Sequence, residues 1–390
     1  MRRFDPSKGF ALIRDFIVDS LEPNKPLVVA IDDTIVRRAG TNTHGSKWRR
    51  DPLGPPFQVN LVRAQRYLQL SAALRLQNGS TRMLPIDLVH APGRPKSDDP
   101  TLTELAVERI HQLRVDLDQN HPHRKLWIVG DASFTNQTVL KNIPERTSLI
   151  GRIRKDAKLH YPPAAPRTKG RAKVYGEQAP RPQELLRDES VPWQMCFIKV
   201  HGKKVRFRFK TIEGLLSRKA GGNRPLRLIV LAPRHYKKKK AGRYLYKGEA
   251  YLICTDPDAS IRDILTAYLQ RWDIEVDFRE QKSLLGLEDA MVRSEASTSL
   301  QPAAVAIAYA FLHLAHHLSP RESQEPPKWQ KAIAKDRRLP TSRLLNQFRK
   351  ELWFESIGTF SDFDAQSSAD QKQEKLDFPI HSAVLYASSA

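Results

Sequence analysis

The chain has 390 residues, 40% of them hydrophobic, and carries 65 Lys and Arg against 43 Asp and Glu, a formal net charge of +22 at pH 7. That composition excludes a wholly disordered chain, and two cysteines, Cys196 and Cys254, exclude both a disulfide framework and a four-cysteine zinc site. The positive excess attracts polyanions, nucleic acid first, while the N-terminal MRRFDPSKGFALIRDF lacks the unbroken apolar stretch of a signal peptide.

Phe10 to Leu21 reads as an amphipathic helix closed by Glu22, Pro23 and Asn24. Pro26 to Ile31 (PLVVAI) is a continuous apolar run of strand length, the pattern of a strand covered on both faces, and it ends at Asp32, Asp33 and Thr34. Arg37 to Pro56 is expected to be loop, with Lys47, Trp48, Arg49 and Arg50 inside it. Strands follow near Phe57 to Val62, Tyr67 to Leu74 and Met83 to Val89. Asn78-Gly79 supplies a hairpin turn, so these strands read as an antiparallel meander.

Asp98 or Thr101 caps a helix running to about Asn120. Lys125 to Val129 (KLWIV) is a second apolar strand, which delivers Gly130 and Asp131 at its end, so a carboxylate again sits where a buried strand stops. A helix from Asn136 and a strand near Leu149 to Ile153 come next. From Lys155 to Gly248 the chain becomes basic and β-rich, with strands at Gln194 to Val200, Lys204 to Lys210 and Arg227 to Ala232 and a lysine run at Lys237 to Lys240. Glu249 to Thr255 is one more strand.

Ser260 and Asp263 then open a long helix through Ala267 to Asp289 (AYLQRWDIEVDFREQKSLLGLED). At 100° per residue, Tyr268, Arg271, Glu275, Phe278 and Lys282 share an arc of about 80°. Ile261, Leu265, Leu269, Trp272 and Val276 form the adjoining apolar arc. Asp273, Asp277, Glu280 and Gln281 point to water. Charge beside a buried face costs several kcal/mol unless it is paired or binds a metal or ligand. An Arg271 to Glu275 ion pair is the plain answer for the helix taken alone.

An apolar helix opened by Pro302 follows, interrupted by His313, His316 and His317 and expected to be too short to span a bilayer. The three histidines read as surface or packing groups ahead of metal ligands. Trp329 to Trp353 is a basic helical segment, and the composition after Asp362 is that of a disordered tail. The chain thus divides at 1–24, 25–155, 156–248, 249–320, 321–361 and 362–390.

Two strand-end carboxylate positions and a helical Glu make an oxygen donor set suited to a pair of Mg²⁺ or Mn²⁺ ions, the arrangement used in phosphoryl transfer. The late helix also matches Tyr-x2-Arg-x3-Glu-x6-Lys at Tyr268, Arg271, Glu275 and Lys282. Together with VGDASFTN at Val129 to Asn136, IGRIRKDAKL downstream and IDDT at Ile31 to Thr34, it resembles DDE transposases of the insertion-sequence-four type, from about Pro26 to Leu318.

The resemblance implies a ribonuclease-H-like α/β fold, a mixed sheet flanked by helices with a β-rich insertion domain before the last catalytic helix. It makes Asp32, Asp131 and Glu275 the metal-binding and catalytic triad, with two Mg²⁺ ions, or Mn²⁺, as cofactors. Tyr268, Arg271 and Lys282 become DNA contacts. Asp32 and Asp33 are adjacent candidates for the first ligand, and the Asp-x-Thr pattern with Thr34 favours Asp32.

The implied partners are double-stranded DNA, as terminal inverted repeats and target, and a second copy of the chain in a synaptic dimer, in a prokaryotic cytoplasm at the nucleoid. Relatives commonly carry a longer helical domain ahead of the first Asp than the 31 residues present here. The alternative is therefore a truncated or domesticated DNA-binding protein that kept the fold, with a ribonuclease-H-like nuclease on other substrates behind it.

Overall fold

The structure is a computed structural model that describes residues 4–38, 40–52, 54–55, 57–91, 99–164, 173–200, 203–221, 224–236, 245–318 and 338–349. Lys237 to Lys240, the expected linker at Ser319 to Pro327 and the expected tail after Asp362 lie outside the described residues.

Helix α1 (Pro6–Asp19) starts at an Asp5 cap and leads into β1 (Leu27–Arg37). Strands β2 (Lys47–Arg50), β3 (Leu61–Arg75) and β4 (Thr81–His90) follow, then α2 (Leu102–Asn120), opened by the Thr101–Glu104 capping box. Next come β5 (Leu126–Gly130), α3 (Gln137–Lys141), β6 (Thr147–Arg152) and α4 (Pro182–Arg187). The basic stretch supplies β7 (Gln194–Val200), β8 (Lys203–Leu215), β9 (Leu226–Leu231), β10 (Arg234–Tyr236) and β11 (Leu245–Lys247). Strand β12 (Ala250–Cys254) then leads into α5 (Ile261–Gln270), α6 (Trp272–Leu284) and α7 (Glu295–Leu318).

One ten-stranded mixed sheet runs β2-β3-β1-β5-β6-β12-β9-β8-β7, with β4 also paired to β3. The strands expected in a β-rich insertion are present, and they continue this sheet beyond β12 instead of closing a sheet of their own. Strand β1 is antiparallel to β3 and parallel to β5, and β5 is parallel to β6. The largest apolar core gathers residues of α1, α2 and α7, while α5 packs on Trp127, Val129, Ile150 and Leu252 of the opposite face. Ile274 and Phe278 of α6 meet Ala30 and Met83.

Four expectations need correction. Asp32 and Asp33 lie within β1, not past its end, because β3 goes on pairing with it as far as Arg37. What stops at Ala30 is the parallel partner β5. Lys47 to Arg50, expected as loop, is an edge strand on β3. Pro302 lies inside α7, which has 24 residues and is long and apolar enough, by length and composition, to cross a membrane. Half of that apolar stretch is buried within the protein. Proline removes the hydrogen bond to the carbonyl four residues back, and the Tyr67 hydroxyl donates to that carbonyl, Thr298 O, at 2.8 Å.

The fourth correction concerns the long helix, which breaks at Arg271. The Ile274 N–H bonds the Arg271 carbonyl in a tight i to i+3 turn at 3.1 Å. Arg271 itself keeps right-handed helical backbone angles, and beyond it the faces expected for core and water are wrong. Trp272, expected in the core, is 60% exposed, whereas Asp273, Asp277 and Gln281, expected in water, are buried. Their partners come from remote segments that the wheel does not contain: Arg338 for Asp273, Tyr309 for Asp277 and Gln69 for Gln281.

Candidate active site

The parallel register pairs Ala30 with Val129 and Gly130 with Gly151, so Asp32 and Asp131 follow on neighbouring strands where the β1–β5 ladder ends. Side chains alternate across a strand. Asp32 therefore shares the face of Val28 and Ala30, under α6, and Asp33 takes the other face. Arg66 pairs with Asp33 at 3.1 Å. The two adjacent acids that sequence left as alternatives are thus separated by strand geometry, and Asp32 is the one beside α6.

Asp131 is fixed by its own turn. Ser133 N–H donates to its Oδ1 at 2.8 Å and the Ser133 hydroxyl to Oδ2 at 3.3 Å. The turn folds back over the strand ends because Gly151 has no side chain there. A Cβ at Gly151 would overlap the Thr135 methyl, and the Thr135 hydroxyl bonds the Arg152 carbonyl.

Arg271 joins the first and last carboxylates. Its guanidinium lies 2.9 Å from Asp32 Oδ2 and 2.8 Å from Glu275 Oε1, and its charge acts on the Tyr268 phenol. The expected Arg271 to Glu275 pair exists, and Asp32 shares it. Lys282, expected to face DNA, donates to the Ile35 carbonyl at 2.6 Å and pairs with Glu288 at 3.1 Å. Tyr268, Arg271, Glu275 and Lys282 thus all stand over the end of β1, although α5 and α6 are separate helices.

The electrostatics are those of crowded acids. Burial pushes the Asp32 carboxyl up to about 7 against the pull of Arg271, and Asp131 and Asp33 raise it further. Burial also raises Asp33, with Arg66 opposing. Among the described residues no three His, Cys, Asp or Glu side chains already surround one point. Asp32 and Glu275 are drawn together around a cation, and that cation is a guanidinium. The donor set nevertheless fits a hard divalent ion: carboxylate oxygens, partly desolvated, mutually repelling and open on one side.

Two features of this end of the molecule were hidden from sequence. One is the break between α5 and α6 at Arg271, which has no Gly or Pro to announce it. The other is a polar cluster behind α6. Arg82 reaches Glu280 at 3.3 Å, the Tyr309 hydroxyl at 3.0 Å, His313 Nε2 at 2.9 Å and Thr341 Oγ1 at 3.0 Å. His313 is thereby a buried hydrogen-bond partner, and the ring of His317 packs edge-on against Phe16.

Comparison with curated proteins gives no match. A family model described as the transposase DDE domain matches residues 23–311, a span running from the turn before β1 into α7 and holding every residue of the site, and the chain belongs to that family.

Proposed function

We propose that this chain is a DNA transposase of the insertion-sequence-four type, cutting DNA strands at transposon ends and joining the freed 3′-OH to target DNA. The observation that carries the reading is the Arg271 bridge between Asp32 and Glu275, beside the neighbouring strand end that carries Asp131. Asp32, Asp131 and Glu275 would hold two Mg²⁺ ions, with Mn²⁺ as the substitute, and Asp33 would stay with Arg66. Bound there, such ions activate the attacking oxygen and stabilise the leaving one in an in-line displacement at phosphorus.

The chain's own residues supply the rest. Arg271 is a planar bidentate donor, suited equally to two carboxylates and to phosphate oxygens, so it can neutralise the strand being cut. Tyr268 stands near that guanidinium, within reach of its charge. Lys282, anchored on the Ile35 carbonyl, ties α6 to β1 and fixes the separation of Glu275 from Asp32. The net charge of +22 favours duplex DNA as substrate. The reading extends to a homodimer that holds two transposon ends together.

The test uses a plasmid carrying the gene with its native flanking DNA. Purified protein with Mg²⁺ is expected to nick at the element's ends, and Glu275→Gln is expected to bind the same DNA without nicking it. Mg²⁺-dependent cleavage that survives in Glu275→Gln would overturn the triad. Binding without nicking by the unaltered chain would favour the non-catalytic DNA-binding alternative.

A further inference from the structure

Among the described residues, buried Arg82, Arg114 and Arg271 and half-buried Arg338 are matched by carboxylates. Half-buried Arg234 and exposed Arg152 and Lys247, at the end of the sheet that carries Asp131, are not. Gly130 pairs with Gly151 in the parallel β5–β6 ladder, so Arg152 follows beside Asp131, one strand over. Strand β12 is antiparallel to β6, and β9 is antiparallel to β12. The end of β9 and the start of β12 therefore reach the same edge as Asp131. Strands β10 and β11 carry that ladder outward and set Arg234 directly opposite Lys247.

Like charges placed opposite each other on antiparallel strands are destabilising. Arg234 leans its guanidinium over the Phe207 ring at 5.1 Å, which leaves its charge without a carboxylate. The Lys247 ammonium is held below its usual pKa by desolvation first, then by Arg234 and Arg152, so the three charges feel one another. Arg152 also acts on the Tyr268 phenol, which connects the group to the site. Among the described residues no carboxylate forms an ion pair with Arg152, Arg234 or Lys247. A repulsive arrangement of this kind is stabilised by an anion that spans all three.

We propose that Arg152, Arg234 and Lys247 form a phosphate-binding track that holds the backbone of duplex DNA on the β6–β12–β9 side of the active site. Strands lie about 4.8 Å apart, so the three steps from β5 to β9 cover roughly 14 Å. At about 3.4 Å per base pair, the track meets phosphates within some four base pairs of the cleaved bond. The inference rests on the reading of the chain as a DNA-processing enzyme and identifies where its substrate lies.

The experiment needs neither metal nor cleavage. Full-length protein in EDTA is titrated against a fluorescein-labelled random-sequence duplex of roughly 30 base pairs, with KCl varied from about 50 to about 200 mM, and log K is plotted against log [KCl]. Each lost phosphate contact flattens that slope by about 0.9. The triple variant Arg152→Gln, Arg234→Gln, Lys247→Gln is therefore expected to lose roughly 2.7 of slope. Arg152→Lys with Arg234→Lys should keep it. Lys25→Gln with Arg75→Gln, at the far end of β1 and β3, should leave it unchanged.

A triple variant that melts like the unaltered chain and keeps its full slope would overturn the track while leaving the triad intact. Mg²⁺-dependent cleavage surviving in Glu275→Gln would overturn the triad while leaving the track intact. No duplex binding by the unaltered chain would overturn both.

Discussion

Helix α6 carries two acidic faces that solve the same problem in opposite ways. Behind it, Asp277 is 1% exposed and Glu280 half-buried, and both are enclosed by groups from β4, α7 and the segment at 338–347. The Tyr309 hydroxyl contacts Asp277 Oδ1 at 2.9 Å and Glu280 Oε2 at 3.0 Å and accepts from Arg82 at 3.0 Å. A phenol has one proton to give. Burial, ahead of all other causes, holds Asp277 well above the usual carboxylate range, and the Tyr309 hydroxyl shares its proton between Asp277 and Glu280. Every charge there is closed off within the fold.

In front, Glu275 and Asp32 share one guanidinium, face the open end of the sheet and stand close to a third acid, Asp131. One cluster is sealed by remote partners and the other is held by a single cation that a ligand can replace. The difference separates acids that build α6 into the fold from acids left open at the end of the sheet.

The strongest way to break that comparison is to open the sealed side. Arg82→Ala leaves Glu280 and the hydroxyls around it without their cation, and loss of about 3–5 kcal/mol is expected in urea unfolding, with or without Mg²⁺. A loss under about 1 kcal/mol would show that the cluster is not a closed unit. On the open side, Arg271→Gln should cost roughly 1–3 kcal/mol in EDTA, from unpaired half-buried acids. Saturating Mg²⁺ should return about that much, since binding at a hundred times Kd stabilises by about 2.7 kcal/mol. Recovery by Mg²⁺ in Arg271→Gln and none in Arg82→Ala is the contrast expected.

The histidine of the sealed cluster gives a pH signature. Burial, then Arg82, Arg338 and His316, hold His313 well below its usual 6.5, so the folded state keeps it neutral while the unfolded chain takes up a proton. Its contribution is complete above pH 6.5 and falls as pH drops below that value, by at most about 1.4 kcal/mol per unit. His313→Gln should flatten stability between pH 6.5 and 5 relative to the unaltered chain, as measured by urea midpoints. The smallest effect tests which face of α6 meets water. Trp272→Ala should change stability by no more than about 0.5 kcal/mol, where a core tryptophan would cost about 3–5.

Strands such as β4, β5, β6, β7 and β12 were legible in sequence because strand length and turn chemistry are local signals, and the Tyr-Arg-Glu-Lys spacing carried the family resemblance. The Thr101 cap and the Asn78-Gly79 turn stand where local chemistry puts them. What failed was the reading of α6. A helical wheel sends acids to water, yet Asp273 is met by Arg338, 65 residues away, and Glu280 by Arg82, 198 residues away. Pairing across such distances leaves no periodic trace. The choice between Asp32 and Asp33 likewise needed the strand's pleat, which neighbouring identical residues cannot reveal by composition.

The claim that the open acids form a metal site is tested most directly by Mn²⁺ binding to the DNA-free protein, followed by electron paramagnetic resonance. The account expects Asp32→Asn and Glu275→Gln each to weaken binding at least about tenfold. Asp33→Asn, whose acid faces Arg66 on the other side of β1, should bind Mn²⁺ as the unaltered chain does. Equal losses in Asp32→Asn and Asp33→Asn, or undiminished binding in Glu275→Gln, would contradict it.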